Sequence, residues 1–217
     1  MMGVGVMVLG KSGSGKSMSL RNFDPKDVGL FNVVGKPLPF KGGSAWQQVR
    51  RPKYADIERT LTANNLNAYV IDDSTYMMQF DNFRRALDTG YTKFTEMAVS
   101  FERLLETAML NTNDDTIVYF MHHPDIDDNG GWKPKTIGKM LDEKLCIEGM
   151  FPVVIECVVR DGAHLFVTTN EGVDVAKCPP DALPAQMDND LALVDQKLRE
   201  FWGMKKIGDN SAKKKED

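Results

Sequence analysis

The chain has 217 residues, 42% hydrophobic and 27% charged, which suits one α/β domain with a full core and excludes disordered or fibrous classes. Its 27 Lys and Arg against 31 Asp and Glu leave a net charge of −4, so a globally basic nucleic-acid coat is excluded while a local basic patch is not. Three cysteines (Cys146, Cys157, Cys178), odd in number and without CxxC spacing, argue against a disulfide framework and a zinc site. They suit a reducing cytoplasm. No apolar run approaches the roughly 18 residues of a transmembrane helix, and Met1 to Leu9 lacks the basic leader of a signal peptide.

In chain order, Val4 to Leu9 reads as a strand buried on both faces, followed at once by glycines and a helix over Lys16 to Phe23 that Pro25 stops. Val28 to Val34 is a second strand. Gly35 to Tyr54, with KPLP and the pair Gly42-Gly43, has no periodicity and reads as a long loop. Asp56 to Leu66 is helical, and Ala68 to Ile71 is a third strand that runs into Asp72 and Asp73. Phe80 to Leu87 is a short helix. The clearest helix spans Thr92 to Leu110, where Phe94, Met97, Ala98, Phe101, Leu104, Leu105, Ala108 and Met109 recur at spacings of three and four.

Thr116 to Met121 is a fourth strand ending at His122 and His123. An acidic loop, Pro124 to Gly131, precedes a helix over Gly138 to Glu148. Val153 to Val159 and Ala163 to Thr169 flank Arg160-Asp161-Gly162, a hairpin signal because Asp-Gly tolerates the positive φ of a tight turn. Asp188 to Trp202 is the last helix, and Lys213 to Asp217 is expected to fray. Strands alternating with helices imply a mainly parallel sheet covered on both sides, with a late antiparallel hairpin. Residues 1–203 form one domain in this reading, and 204–217 a flexible charged tail.

Gly10-Lys11-Ser12-Gly13-Ser14-Gly15-Lys16-Ser17 fits GxxxxGK[ST] at every fixed position, between a buried strand and a helix. The glycines let backbone N–H groups converge on phosphate oxygens, and the helix that follows adds its positive end. Lys16 brings a cation to the β- and γ-phosphates, Ser17 offers a hydroxyl to Mg²⁺, and Met18 completes the binding segment. Nucleotide binding is the direct implication. Ala68-Tyr69-Val70-Ile71-Asp72 then supplies a carboxylate at the end of an apolar strand, 55 residues after Ser17. Asp72 is assigned to the Mg²⁺ shell and Asp73 to polarising the attacking water, with a capping role beside Ser74 as the alternative for Asp73. His123, just before Pro124, is preferred over His122 as the group that touches the γ-phosphate; a structural histidine is the alternative.

Gly35 to Tyr54 holds Lys36, Lys41, Arg50, Arg51 and Lys53 with no acid, interleaved with Phe40, Trp46 and Tyr54. Cations and aromatics are what a sequence-tolerant single-stranded DNA site needs. The competing reading buries Trp46 and Phe40 against the core. Lys135 and Lys139 are either cations offered to a neighbouring copy's γ-phosphate or ordinary surface lysines.

GKSGSGKS, NVVGKPLPFKG, YVIDDST, FMHHPD, KPKTIGKMLDEKL and TTNEG…AKCPP…DNDL together span Gly3 to about Trp202. In that order they resemble the phage-encoded P-loop ATPases of the RecA-like superfamily, including those of single-strand annealing and recombination. The resemblance implies a RecA-like core that binds ATP and Mg²⁺ and acts on single-stranded DNA in phage recombination or replication. It also implies a homo-oligomer or a replication or recombination partner, in the host cytoplasm. It carries Lys16, Ser17, Asp72 and His123 to their usual roles. One departure stands out: such recombinases place a glutamate at the end of the second strand, and here that strand ends Leu30-Phe31-Asn32-Val33-Val34. Asp73 is the substitute base in an ATPase reading. A nucleotide-gated adaptor with little hydrolysis is the alternative. A small-molecule kinase ranks below both, because no arginine-rich lid follows His123.

Overall fold

The computed structural model describes residues 2–170, 172 and 174–209. The expected fraying at Lys213 to Asp217 lies outside them. β1 (Val4–Leu9) alternates Val6 and Val8 toward one core layer with Met7 and Leu9 toward the other, so a buried strand needs apolar residues at both parities. It lies centrally in an eight-stranded sheet. On one side come β5 (Ile117–His122), β4 (Ala68–Asp72), β2 (Val28–Asn32) and the edge strand β3 (Gln48–Arg50). On the other come β8 (Val153–Arg160), β9 (Ala163–Val167) and β10 (Gln186–Asp188). β3, β2, β4, β5, β1 and β8 run parallel, whereas β8–β9 and β9–β10 pair antiparallel.

Helices cover both faces. The first layer packs α1 (Tyr54–Ala63) and α3 (Thr92–Leu110) on the sheet, through Ile57, Leu61, Met97, Phe101, Leu104 and Leu105. The bounds of α3 coincide with those read from its periodicity. Each fully buried Leu or Phe on such a face contributes about 1.5–3 kcal/mol relative to exposure. The second layer is formed by Leu191, Val194 and Leu198 of α6 (Leu191–Trp202) with Leu20, Trp46 and the opposite faces of the strands. α6 is capped at both ends. Asp190 accepts from the N–H groups of Ala192 and Leu193, and Gly203 turns left-handed at φ 64°.

A buried polar clamp pins α6 beneath the sheet. Asp195 accepts from Tyr119 Oη at 2.8 Å and from the guanidinium of Arg199. Arg199 also donates to the carbonyls of Asn67, Asp115 and Lys205. Met204 and Ile207, expected in a free tail, are half-buried against this same layer.

Several elements differ from expectation. The helix after the glycine loop is a 3₁₀ segment, Ser17–Asn22. α2 (Thr75–Arg84) begins five residues earlier than read, directly behind Asp73-Ser74. The Gly35 to Tyr54 loop contains a 3₁₀ turn at Gly43–Ala45 and β3, whose three residues are too few for periodicity to register. The acidic loop is a hairpin of β6 (Pro124–Ile126) and β7 (Trp132–Pro134), its turn held by Asp127 Oδ1 accepting from the N–H groups of Asn129 and Gly131. The helix read over Gly138 to Glu148 breaks into α4 (Lys139–Lys144) and α5 (Ile147–Met150), because Leu145 and Cys146 are extended. Among the described residues no helix is long and apolar enough to cross a membrane.

Candidate nucleotide site

Parallel pairing brings four strand tips to one edge of the sheet. Leu9 is in register with His122 and Asn32 with Asp72, so the residues following β1, β5, β4 and β2 meet there. This is where open parallel sheets place their ligands. β5 lies between the strand that feeds the glycine loop and the strand that ends in Asp72.

The glycine loop closes tightly on the sheet. Gly10 N–H donates to the His122 carbonyl at 3.0 Å, and a Cβ on Gly10 would fall 2.7 Å from the Cys157 carbonyl oxygen. Gly13 and Gly15 have φ of 80° and 108°, a region that L side chains rarely adopt. Among the described residues the N–H groups of Gly13, Gly15 and Lys16 donate to no protein group, which leaves a concave row of donors. Lys16 is buried, and its Nζ donates to the carbonyls of Gly10 at 2.6 Å and Lys11 at 3.2 Å. Desolvation holds its pKa below the ordinary lysine value, against the pull of Asp73, Cys157 and Asp72.

Ser17 Oγ donates to the Asp72 carboxylate, 2.9 and 3.0 Å from its two oxygens. Burial, and next the neighbouring Asp73, push the Asp72 pKa up to about 6, against the hydrogen bond from Ser17. Among the described residues no cation forms an ion pair with Asp72, and no cluster of three or more His, Cys, Asp or Glu is built for a metal. The donor set is therefore one hydroxyl and one carboxylate beside a phosphate-sized cradle. That fits Mg²⁺, which is typically held by one or two protein oxygens together with substrate phosphates.

Asp73 sits in a left-handed turn, φ 64°, immediately after β4. Its two oxygens are engaged separately. Oδ1 accepts from His123 Nε2 at 3.0 Å, and Oδ2 accepts from Lys36 Nζ at 3.1 Å. Desolvation pushes its pKa up, but these two bonds outweigh it and hold the carboxyl at about 2. Lys36, Asp73 and His123 line a cleft of about 320 Å³ together with Lys16, Ser17, Met18 and His164.

The two histidines have separate roles. His122 is buried; its Nε2 donates to the Lys135 carbonyl at 2.8 Å and its Nδ1 faces Ser74 Oγ at 2.8 Å. A carbonyl accepts only, so Nε2 carries the proton, and burial lowers the His122 pKa to about 4. His123 points into the cleft. His164, which periodicity did not flag, donates from Nδ1 to the Ser14 carbonyl at 2.7 Å, beneath the glycine loop. Its place just after the Asp161-Gly162 turn was the available signal.

The cations of the Gly35 to Tyr54 segment are dispersed. Lys36 lines the cleft beside the glycine loop. Lys41 and Arg50 are exposed, Arg51 lies over the Phe80 ring at 5.8 Å, and Lys53 opens α1 with its N–H donating to Asp56. Trp46 is only 6% exposed and meets the edge of Phe40 at a ring separation of 6.1 Å. Stacking of bases on Trp46 is thereby overturned: its faces are occupied by the second core layer. Lys139 pairs with Glu143 on its own helix, and the Lys135 backbone braces both histidines.

No protein-family model matches this chain, and no curated protein sequence does. Among solved structures it is similar to an ATPase from the type III secretion system of pathogenic bacteria, at 13% identity and a TM-score of 0.46. The match covers 72% of this chain and 51% of that one, so the chain spans about half the length of that protein. The strand order and the glycine loop after the central strand define an α/β fold with a mainly parallel sheet and a late antiparallel hairpin, in which Ser17 pairs with Asp72 beside that loop.

Proposed function

We propose that the chain binds ATP in this cleft and hydrolyses it slowly. The observation that carries the proposal is the Ser17–Asp72 pair, at 2.9 and 3.0 Å, set beside Lys16 and the unengaged donors of the glycine loop. Gly10 to Met18 would wrap the phosphates, with Lys16 exchanging the Gly10 and Lys11 carbonyls for phosphate oxygens. Ser17 and Asp72 would hold Mg²⁺, whose charge offsets that of the β- and γ-phosphate oxygens. Asp73 accepts the proton of the attacking water as the water oxygen bonds to the γ-phosphorus and the bond to the β-phosphate oxygen breaks. His123 fixes the orientation of Asp73 through Oδ1.

A second reading is favoured by a specific feature. Asp73 is held from both sides by Lys36 and His123, and β2 ends in Asn32 rather than an acid. A carboxylate so occupied is a poor base, which supports a nucleotide-gated adaptor that barely turns over. The proposal of action on single-stranded DNA in phage recombination or replication rests on the family resemblance, with Lys41, Arg50 and Arg51 as the cations offered. Assembly as a homo-oligomer or with a recombination partner has the same support.

The test is Mg²⁺-dependent ATP hydrolysis with and without single-stranded DNA, on wild type and Lys16→Ala. DNA-stimulated turnover that the substitution abolishes supports the ATPase. Tight ATP binding without turnover selects the adaptor, and no ATP binding rejects both.

A further inference from the structure

We infer that Lys36 is a γ-phosphate sensor supplied in cis: a bound nucleoside triphosphate draws its Nζ from Asp73 onto the terminal phosphate, whereas a diphosphate leaves the Lys36–Asp73 pair closed. The inference rests on the nucleotide-binding reading above and adds a tri- over diphosphate selectivity to it.

Three features point to Lys36. First, its backbone is fixed. Asn32, buried at the tip of β2 and in register with Asp72, donates from Nδ2 to the Lys36 carbonyl at 2.7 Å and to Gln48 Oε1 at 2.8 Å. Its Oδ1 accepts from Gly35 N–H at 2.7 Å. The amide at this strand tip thus holds the Lys36 backbone beside Asp72 and Asp73.

Second, the side chain is free to exchange partners. The Lys36 side chain is 59% exposed although its partner Asp73 is only 11% exposed, so the amine reaches into the cleft along a solvated stem. A half-exposed ion pair is weakly held. A terminal phosphate offers more negative charge and more acceptor oxygens than one carboxylate, and it wins that competition when it is within reach. Third, the amine lies in the cleft itself. Lys36 lines it together with Lys16, Asp73 and His123. The Tyr76 ring lies 5.8 Å from its Nζ and edge-on to His123 at 5.7 Å, which confines Lys36, Asp73 and His123 to one corner.

The experiment is equilibrium titration with a fluorescent non-hydrolysable ATP analogue and with the matching ADP derivative, both with Mg²⁺. It is run on wild type, Lys36→Met, Lys36→Arg, Lys36→Met/Asp73→Asn and Lys16→Ala, with folding checked by circular dichroism. Lys36→Met is expected to weaken triphosphate binding about tenfold and leave diphosphate binding unchanged, with Lys36→Arg restoring most of the ratio. The double variant is expected to stay low, because the missing contact is to the phosphate. An unchanged ratio in Lys36→Met overturns the inference while leaving the nucleotide site intact. Recovery in the double variant also overturns it, since Lys36 would then act only by neutralising Asp73. Failure of wild type to bind either nucleotide, with Lys16→Ala indistinguishable from it, rejects the underlying reading instead.

Discussion

Asn32 and Asp72 stand side by side at the ends of β2 and β4, yet only Asp72 carries charge toward the cleft; the Asn32 amide turns away to tie down the backbone of Gly35 and Lys36. The site thus has one buried acid bonded to Ser17, one acid beside it held by His123, and a lysine paired with that second acid. That division of labour sets what each substitution does.

Asp72 is ionised at neutral pH at a cost, since burial has raised its pKa from 3.8 to about 6. A raised folded pKa on an acid gives stability that is full below pH 3.8 and lost as pH rises through 6. Asp72→Asn removes this cost and still accepts from Ser17. The apoprotein is expected to gain about 1–2 kcal/mol at pH 7.5 in urea unfolding, while Mg²⁺-dependent nucleotide binding is lost. A destabilised Asp72→Asn apoprotein contradicts the assignment.

His122 has the opposite slope. Its pKa falls from 6.5 to about 4 on burial, so the unfolded chain binds the extra proton between those values. Its contribution is complete above pH 6.5 and falls by about 3 kcal/mol as pH drops to 4. In wild type this offsets the Asp72 slope across pH 4 to 6. His122→Gln is expected to unmask stability that falls with rising pH, and Asp72→Asn stability that rises. Denaturation midpoints at pH 4.5, 5.5 and 6.5 read both. Identical profiles in all three proteins would refute the pairing.

Arg199 is almost fully buried and spreads its guanidinium over Asp195 and three backbone carbonyls. Removing it strands a buried carboxylate. Arg199→Ala is expected to cost about 3–5 kcal/mol, and Asp195→Asn less, because Tyr119 retains a partner. Chemical denaturation ranks the two; a cost under 1 kcal/mol for Arg199→Ala would show that water replaces the clamp.

Trp46 and Arg50 separate packing from binding. Trp46→Ala opens the second core layer and is expected to cost about 3–5 kcal/mol. Arg50→Ala, on an exposed edge strand, is expected to stay within about 0.5 kcal/mol. A loss of single-stranded DNA affinity in Arg50→Ala, read by fluorescence anisotropy at fixed salt, supports the DNA proposal. Unchanged affinity removes Arg50 from it.

Long elements were legible from pattern alone. α3 has nineteen residues, enough for spacings of three and four to repeat and mark its buried face. β3, β6, β7 and β10 have three residues each, and no alternation accumulates over three positions. Trp46 illustrates the same limit on chemistry: an aromatic among cations reads as a stacking platform until its packing partners are known.

The sequence alone determined the glycine loop, because its motif is contiguous, and the order of the long strands and helices, because apolar period is local. It also marked Asp72, by the apolar strand that precedes it. Tertiary structure decided the rest. Only parallel pairing places Asn32 beside Asp72, puts β5 between β1 and β4, turns His123 into the cleft and His122 into the core, and carries Lys36 from a basic loop to the Asp73 carboxylate. Those relations join residues from 37 to 113 positions apart, and only the folding of the sheet brings them together.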